Sequence, residues 1–448
     1  MSARSLVVAA IAVAVAVAFA DSSIVVLALP ELYGTFDTTI EGVAWVITSY
    51  NLVLAASALL LVFVVHRVRA NVLLAAGSVV FLGASIACAL ANSIGFLIAA
   101  RSVQGLGGAL LLTGSLPVLA AFAGSNARGV AIWTAAGTLG AGMGPALGGI
   151  LTQAFEWRAI FVAQAPVAGL ALLGAVGSHV SAILEEGWTS GLRRTLPANG
   201  ALALVSGALV GALFLGVVLV IDVFGLSPIA GAAVVSAIPV ATLLARPVAA
   251  ALPMPLAAGA GALMLASGLI GLAFLPSSEL AYAIASFALC GFGLGLSVPG
   301  LSHAVLGGQG IGRKATFTVG VRHLGLVLAL AVIAPLLTDD LFEAAEVAEL
   351  NATAVIIDGE ISATTKIPLA LDIRDTIDRV PEGEIPDFTA VFEEHGSRTE
   401  TSVRTVQDEL VAAIEQAVTR GFRSSFQFCA LLAALAVIPV AAFRRRLA

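Results

Sequence analysis

The sequence predicts an all-α membrane protein. It should have twelve transmembrane helices in two six-helix pseudo-repeat bundles and a small helical extracytoplasmic insert between the last two helices. Three observations support this fold class. Apolar residues make up 59% of the 448 residues and charged residues only 11%, whereas a soluble domain carries about 25% charged residues. Apolar stretches of about 20 residues, the length that a spanning helix needs, recur along the chain. The charges are also unevenly distributed. This composition excludes an ordinary soluble enzyme, a disordered chain and a nucleic-acid-binding protein.

Twelve apolar stretches are interpreted as spans. In chain order they are 6–30, 42–65, 72–91, 94–120, 131–154, 160–177, 200–221, 228–249, 255–275, 281–305, 316–337 and 426–442. Arg4 precedes the first stretch, which includes Ala18-Phe-Ala20. A signal peptide shares this pattern, but the apolar run continues to Pro30 and is too long for one.

The basic residues predict the orientation of the spans. With the N-terminus inside, the even-numbered connections and both termini hold most of the arginines and lysines, and Arg158 is the main exception outside the insert. This asymmetry follows the positive-inside rule. We therefore expect a multi-pass protein of the plasma (inner) membrane with cytoplasmic N- and C-termini.

A faint internal repeat favours two halves of six helices. Leu74-Ala-Ala-Gly77 recurs as Leu256-Ala-Ala-Gly259 in the equivalent helix of the second half. Parallel six-helix repeats are typical of one large class of transporters, with the substrate site at the repeat interface. The predicted domains are an N-terminal six-helix bundle (1–177), a cytoplasmic linker (178–199), helices seven to eleven of the C-terminal bundle (200–337), the acidic extracytoplasmic insert (338–421), and the last helix with a basic cytoplasmic tail (422–448).

The predicted insert differs from the rest of the chain in charge. Residues 339–420 contain 19 acidic and 6 basic residues, a net charge of −13, whereas the remainder holds 9 acidic and 16 basic residues, a net charge of +7. Residues 339–350 could extend the eleventh span outward. Val403, Val406, Leu410 and Ile414 recur at helical spacing, which predicts a helix that runs into the last span. Residues 381–386 are interpreted as a turn, and an extracytoplasmic partner for the insert is left open.

Several motifs occur together, each in the expected helix. Asp21-Ser-Ser-Ile-Val-Val-Leu-Ala-Leu-Pro30 lies in the first span, Arg101-Ser-Val-Gln-Gly105 in the fourth, and Gly140-Ala-Gly-Met-Gly144-Pro145-Ala-Leu-Gly148-Gly149 in the fifth. The chain resembles the major facilitator superfamily, and within it the multidrug:proton antiporters. The best matches cover about residues 5–161, and Val321-Arg-His-Leu-Gly325 in the eleventh span also resembles that branch. The resemblance implies proton-coupled secondary transport, with membrane lipids, protons and a small-molecule substrate as partners.

The sequence also departs from the family pattern. The family's loop after the second helix reads Gly-x-Leu-Ala-Asp-Arg-x-Gly-Arg, and here the aligned stretch is Val62-Phe-Val-Val-His-Arg-Val-Arg-Ala70. The glycines, the aspartate and the last arginine are missing. Since that loop normally latches the cytoplasmic side, the gating is expected to differ.

Asp21 and Arg101 are predicted to couple transport to protons. Ionisable groups inside membrane helices are costly and are functional candidates by default. Asp21 precedes Pro30 by nine residues and Arg101 follows Ser93 by eight, so they should lie about 13 Å and 12 Å from the same membrane face. A carboxyl is favoured in its protonated form by burial and in its charged form by a nearby cation. The alternatives are an Asp that bonds helix backbone and an Arg that snorkels or bridges helices.

The remaining candidates serve packing or line the cavity. Gly140, Gly144 and Gly148 share one helix face, where small residues permit close packing, and Pro145 should bend the helix; Gly149 completes the motif. The candidates for the substrate cavity are Tyr50, Asn51, Gln104, Arg322 and His323. A structural hydrogen bond is an equally good interpretation for Arg322 and His323.

Two function classes remain open from the sequence. The first is a proton-coupled exporter of small amphipathic compounds. The second is a membrane receptor or sensor with a degenerate transporter body, whose acidic insert binds a partner. The altered loop favours the second, whereas Asp21, Arg101 and the glycine motif favour the first. No metal-ligand spacing, nucleophile triad or phosphate loop is found, so neither an enzyme activity nor a metal or other cofactor is expected.

Overall fold

The computed structural model describes residues 2–176, 188–276, 279–307, 311–359, 361–377, 388–395 and 401–447. The N-terminal half contains α1 (Ala3–Ile24), α2 (Leu29–Phe36), α3 (Ile40–Leu61), α4 (Ala70–Ala89), α5 (Ile94–Ala123), α6 (Asn126–Ala154), α7 (Arg158–Leu170) and α8 (Leu172–Val176). The C-terminal half contains α9 (Trp188–Val218), α10 (Pro228–Val235), α11 (Ala237–Leu244), α12 (Arg246–Ala251), α13 (Met254–Ala273), α14 (Leu280–Leu306), α15 (Ile311–Asp358), α16 (Ala363–Ile377), α17 (Thr389–Glu394), α18 (Thr401–Gly421), α19 (Arg423–Leu435) and α20 (Val437–Leu447).

These helices form the predicted spans. Twelve helical segments are long and apolar enough to cross a bilayer: Ala3–Phe36, Gly42–Leu61, Ala70–Ala89, Ile94–Ala123, Asn126–Ala154, Arg158–Val176, Leu192–Val223, Pro228–Ala251, Met254–Ala273, Leu280–Leu306, Ile311–Ala344 and Thr401–Phe443. The all-α membrane fold with twelve transmembrane helices is thus confirmed. Spans one to six are called the N-terminal bundle and spans seven to twelve the C-terminal bundle.

Several helices extend beyond the apolar stretch that marks them in the sequence. The predicted linker is helical from Trp188 onward, since α9 begins there, and residues 177–187 lie outside the described residues. The eleventh span continues as one helix to Asp358, and the twelfth is approached by α18 from Thr401. Hydropathy detects only the part of a helix that is apolar enough for a bilayer. The extensions predicted for residues 339–350 and for the helix that contains Val403 and Ile414 lie outside those apolar stretches, and both are helical.

Prolines explain two breaks inside the spans. The first span changes from α-helix to a 3-10 turn at Val25–Ala28, next to Pro30, which lacks an N–H and whose ring crowds the carbonyl four residues earlier. The eighth span is divided between α10 and α11 at Ser236, where Pro239 imposes the same constraint. The first of these breaks lies one turn after Asp21.

Close helix pairs recur in the two bundles. In the N-terminal bundle, a Cβ added at Gly107 of the fourth span would lie 2.5 Å from the backbone nitrogen of Phe81 in the third. In the C-terminal bundle, Gly268 of the ninth span would meet the carbonyl oxygen of Ser286 in the tenth at 2.7 Å. Such distances leave no room for a side chain, because small residues are what let membrane helices approach closely. Equivalent helix pairs therefore use the same packing device.

The region between the last two spans has a core of its own. Buried apolar side chains of α16, α17 and α18 pack together there, among them Leu369, Phe392 and Val403, which are fully buried. Val406, Leu410 and Ile414 are also buried, so the apolar face predicted for α18 is confirmed. Residues 381–386, interpreted as a turn, lie outside the described residues. The side of the membrane on which this unit lies stays a prediction.

Candidate functional site

The structure brings Asp21 and Arg101 together in the N-terminal bundle. Arg101 Nη1 and Asp21 Oδ2 form an ion pair between the first and fourth spans, and both side chains have no solvent exposure. Counting along the two helices predicts a common depth for these residues, and the direct contact agrees with it. A fully buried pair of opposite charges leaves little net charge within the bundle.

Arg101 has further partners that hold its side chain in place. Its Nη1 donates to Gln104 Oε1 at 2.7 Å, and its Nε donates to the carbonyl oxygen of Val46 in the second span at 3.1 Å. The guanidinium carbon lies 4.4 Å from the ring centroid of Tyr50 and 5.7 Å from that of Phe161. Such cation–π contacts are favourable when the cation is desolvated. Three other spans, the first, second and sixth, therefore help to hold this arginine in place.

A chain of polar side chains leads away from this ion pair. Gln104 Nε2 donates to Ser85 Oγ at 2.9 Å and to Gln164 Oε1 at 2.9 Å, which links the third and sixth spans to the site. In contrast, Asp21 Oδ1 is buried and has no hydrogen-bond partner of normal geometry among the described residues, although the Gln164 side chain lies close enough to interact with Asp21. An unpartnered carboxylate oxygen is costly to bury.

Two of the predicted cavity residues belong to this cluster. Tyr50 is fully buried, and its hydroxyl donates to the carbonyl oxygen of Ala18 at 2.8 Å. Gln104 bridges Arg101 to the polar chain. Neither residue lines either of the two cavities described below. The place of Gln104 follows from helix geometry, because it is three residues from Arg101 and shares its helix face.

A second polar cluster connects the two bundles. Asn51 Oδ1 of the second span accepts a hydrogen bond from Ser22 Oγ at 2.8 Å and lies 2.8 Å from His323 Nδ1 of the eleventh span. The His323 ring also stacks on Phe19, with centroids 6.1 Å apart. Asn51 and His323 are thus brought together. Ser22, the third member of this cluster, directly follows Asp21 in the first span.

Two cavities lie between the bundles. The smaller cavity, of about 40 Å³, is lined by Phe19, Ser22 and Ser23 of the first span and by residues of the fifth, seventh and eleventh spans, including His323. The larger cavity, of about 90 Å³, is lined mainly by apolar side chains of the fifth, seventh, eighth and tenth spans. Arg322 lines both cavities. Of the cavity candidates, Arg322 and His323 therefore line cavities.

The glycine motif of the fifth span faces two directions. Cβ atoms added at Gly140, Gly144 and Gly148 would collide with the first span, on Ala16, Ser23 and Ile24 respectively. A Cβ at Gly149 would instead lie 2.5 Å from Ala232 Cβ in the eighth span. The buried Pro145 lies between these faces. Gly140, Gly144 and Gly148 therefore let the fifth span pack closely against the first over the turns that carry Asp21. Gly149 permits close contact between the two bundles.

Sequence reasoning missed three members of the ion-pair cluster: Ser85, Phe161 and Gln164. A signal was available for Gln164, a polar residue in an otherwise apolar span. It follows Trp157 by seven residues, so counting places it about 10 Å into the sixth span, near the depth inferred for Arg101. The same counting would not find Phe161, since an aromatic residue in a membrane helix is unremarkable in a sequence.

Two curated relatives match part of the chain. Multidrug resistance protein Stp of Mycobacterium tuberculosis is 40% identical over 160 residues, which is 34% of this chain and 29% of that protein. Methylenomycin A resistance protein of Streptomyces coelicolor is 33% identical over 168 residues, 37% of this chain and 35% of that protein. The match thus spans about a third of the length of each relative.

The fold and a family comparison cover far more of the chain. A crystal structure of a bacterial homologue of the human lysosomal transporter Spinster, inward-facing and unoccupied, superposes with a TM-score of 0.65. The superposition covers 100% of this chain and 98% of that one at 16% sequence identity, which shows the fold alone. The profile of the Major Facilitator Superfamily matches residues 11–335. The chain therefore belongs to the Major Facilitator Superfamily.

Proposed function

We propose that this protein is a proton-coupled secondary transporter that exports small amphipathic compounds across the plasma membrane by alternating access. The observation that carries the proposal is the buried ion pair of Asp21 and Arg101 between the first and fourth spans. The names of the two resistance proteins, which match this chain in part, support export of toxic compounds. The intact pair and glycine face favour transport over a receptor role.

The ion pair is suited to store and release one proton. Arg101 stays charged at any physiological pH, so the charge of the pair changes only when Asp21 binds or loses a proton. When Asp21 is charged, its attraction to Arg101 holds the first span against the fourth. When Asp21 accepts a proton, that attraction is lost, while Arg101 keeps its hydrogen bonds to Gln104 and Val46. Protonation therefore weakens the side-chain link between the first and fourth spans and leaves the longer bond from Arg101 Nη2 to the backbone carbonyl oxygen of Asp21, at 3.4 Å.

The first span transmits this change to the interface between the bundles. Asp21 is followed directly by Ser22, which bonds Asn51, and by Ser23, whose Oγ donates to the carbonyl oxygen of Ala141 at 2.9 Å. Both serines line the smaller cavity. A shift of this turn alters the cavity wall and its link to His323. Proton binding and the shape of the substrate site are thereby coupled.

An Asp21→Asn variant tests the proposal. In inverted vesicles with an imposed pH gradient, the wild type should accumulate fluorescent amphipathic dyes, and Asp21→Asn should abolish accumulation while dye binding to the purified protein persists. Asp37→Asn is the matched control. Asp37 lies at the end of the first helical segment, outside the Asp21 site, and has a left-handed backbone (φ 46°), which Asn accepts readily. Accumulation of dye against its gradient by Asp21→Asn would contradict the proposal.

A further inference from the structure

The eleventh span carries a second arginine that the Asp21 site does not use. Arg322 lies where the two cavities meet, because Ala141, Leu209 and Leu213 line both cavities with it. Of the described residues that line the larger cavity, Arg322 has the one charged side chain. The wall around it consists chiefly of leucine, isoleucine, valine, proline and methionine side chains. A positive charge is thus presented at one end of an apolar space.

The contacts of Arg322 leave its charge uncompensated. Nε donates to Ser206 Oγ at 3.2 Å, and the guanidinium carbon lies 5.4 Å from the centroid of the Phe19 ring. Within the part of the chain that the structure describes, no carboxylate lies within ion-pair distance of Arg322, and its two Nη groups have no hydrogen-bond acceptor. Arg101, in contrast, has a carboxylate, an amide oxygen and two carbonyl oxygens as acceptors.

The neighbouring hydroxyl groups are neutral and cannot supply the missing negative charge, and among the described contacts only Ser206 Oγ accepts a hydrogen bond from Arg322. Ser22 donates to Asn51, Ser23 to Ala141, and Thr242 Oγ1 to the carbonyl oxygen of Gly291 at 2.8 Å. Ionisable residues inside the membrane typically pair with one another or mark the path of a ligand. Arginine cannot relieve the cost by losing its proton. The compensating negative charge must therefore come from outside the described protein groups.

We propose that Arg322 binds the anionic group of an amphipathic substrate, of the carboxylate class, whose apolar body occupies the larger cavity. The guanidinium offers two Nη groups in a planar fork that matches the two oxygens of a carboxylate. Ser206 and the face of Phe19 hold that fork in orientation. Leu209 and Leu213 continue from the arginine into the apolar wall. A compound with one negative charge and a ring satisfies both parts of the site.

This inference rests on the proposed function, since it names the substrate class of the same transporter, but it is tested by equilibrium binding alone. The probes are 2-naphthoate and 2-naphthylmethylammonium, which share a fluorescent ring and carry opposite charges. They are titrated into the full-length protein in nanodiscs of uncharged lipid. We expect 2-naphthoate to bind the wild type at least tenfold more tightly than the ammonium compound. Equal affinities, or preference for the cation, would overturn the proposal.

Three variants locate the preference. Arg322→Gln should weaken 2-naphthoate binding at least tenfold and leave the ammonium probe unaffected, while Arg322→Lys should recover part of the affinity because it keeps the charge without the fork. Arg158→Gln removes a positive charge whose guanidinium lies over Trp157 outside both cavities and should bind like the wild type. Unchanged naphthoate affinity in Arg322→Gln, or an equal loss in Arg158→Gln, would refute the site.

The Asp21→Asn variant separates the two proposals. We expect it to keep the naphthoate preference, because Asp21 does not line either cavity. If Arg322 instead serves as an alternative partner for Asp21, then Arg322→Gln would abolish proton-driven dye accumulation without changing the preference between the two probes, and the anion site would be refuted. Failure of proton coupling in the vesicle assay, with the naphthoate preference intact, would refute only the proposed coupling.

Discussion

Arg101 in the N-terminal bundle and Arg322 in the C-terminal bundle are both enclosed by helices, but their surroundings differ. Arg101 has no exposed surface and is paired with Asp21, whereas Arg322 borders two cavities and has one hydroxyl partner. An arginine that is paired with a carboxylate inside the protein can serve as a switch, because protonation of the carboxylate removes the charge that balances the arginine. A charge left unmatched beside a cavity is available to a ligand. We interpret the two halves as dividing the tasks of coupling and recognition.

The largest effect is expected from breaking the ion pair of Asp21 and Arg101 in the N-terminal bundle. Asp21→Ala would leave Arg101 buried without its carboxylate, and breaking a buried pair by removing one partner costs about 3–5 kcal/mol. Arg322→Ala removes a charge that has no carboxylate to strand, so the free energy of unfolding should stay within about 1 kcal/mol of the wild type. Thermal unfolding of both purified variants measures the contrast. Comparable losses of stability would mean that Arg322 is also matched within the protein.

A smaller effect is expected from a substitution in the glycine face of the fifth span, which packs against the turn that carries Asp21. A Cβ at Gly144 would collide with Ser23 Oγ and lie 3.0 Å from the carbonyl oxygen of Ala20. Gly144→Leu should therefore cost about 1–3 kcal/mol through overpacking, and it should uncouple proton flow from transport by displacing the turn that carries Asp21.

Gly83→Leu is the matched control for that variant, since no heavy atom lies within 4 Å of a Cβ at Gly83. Proton leak and dye accumulation are measured together in vesicles. If Gly144→Leu couples proton flow to dye accumulation as tightly as Gly83→Leu does, the glycine face of the fifth span is not needed for coupling.

The smallest effect concerns the contact between the halves at the loop after the second span. Arg313 Nη2 of the eleventh span lies 2.9 Å from His66 Nδ1, and Arg313 Nε donates to the carbonyl oxygen of Val62 at 3.1 Å. His66 replaces part of the family's acidic loop pattern. Desolvation, with the positive charges of Arg313 and Arg67 adding to it, lowers the pKa of His66 below its ordinary value. The neutral ring is therefore the form that this contact favours.

The sign of the pH dependence follows from this lowered pKa. The contact should be fully present above the ordinary histidine pKa of about 6.5 and should weaken as the pH falls from there through the lower pKa of the folded protein. Spin labels at Arg69→Cys and Arg246→Cys would report a larger separated population at pH 5.5 than at pH 7.5. His66→Gln keeps an acceptor for Arg313 but cannot titrate, so it should abolish that difference. Identical distances at both pH values in the parent protein would contradict the prediction.

Much of the fold, and part of the site, can be predicted from the sequence. The twelve spans, the helical course of the insert around Val403 and Leu410, and the common depth of Asp21 and Arg101 all follow from counting along helices. The position of Gln104 also follows, from its spacing to Arg101. The sequence places Tyr50 among the cavity candidates, but its ring packs against Arg101 at 4.4 Å. The direction in which the Tyr50 side chain points depends on how the second span is rotated about its own axis. That rotation is set by packing against the other helices, which a single sequence does not show.

The sequence by itself determined the number of spans, the residues that carry charge inside them and their depth, because hydropathy and helical rise are local properties of the chain. Only the tertiary structure decided which of these residues meet. Asp21 and Arg101 are paired, Asn51 and His323 join the two bundles, and Arg322 stands at the junction of two cavities. These outcomes depend on how each helix is rotated and how closely it approaches its neighbours. Both are fixed by the fit of side chains across helices distant in sequence.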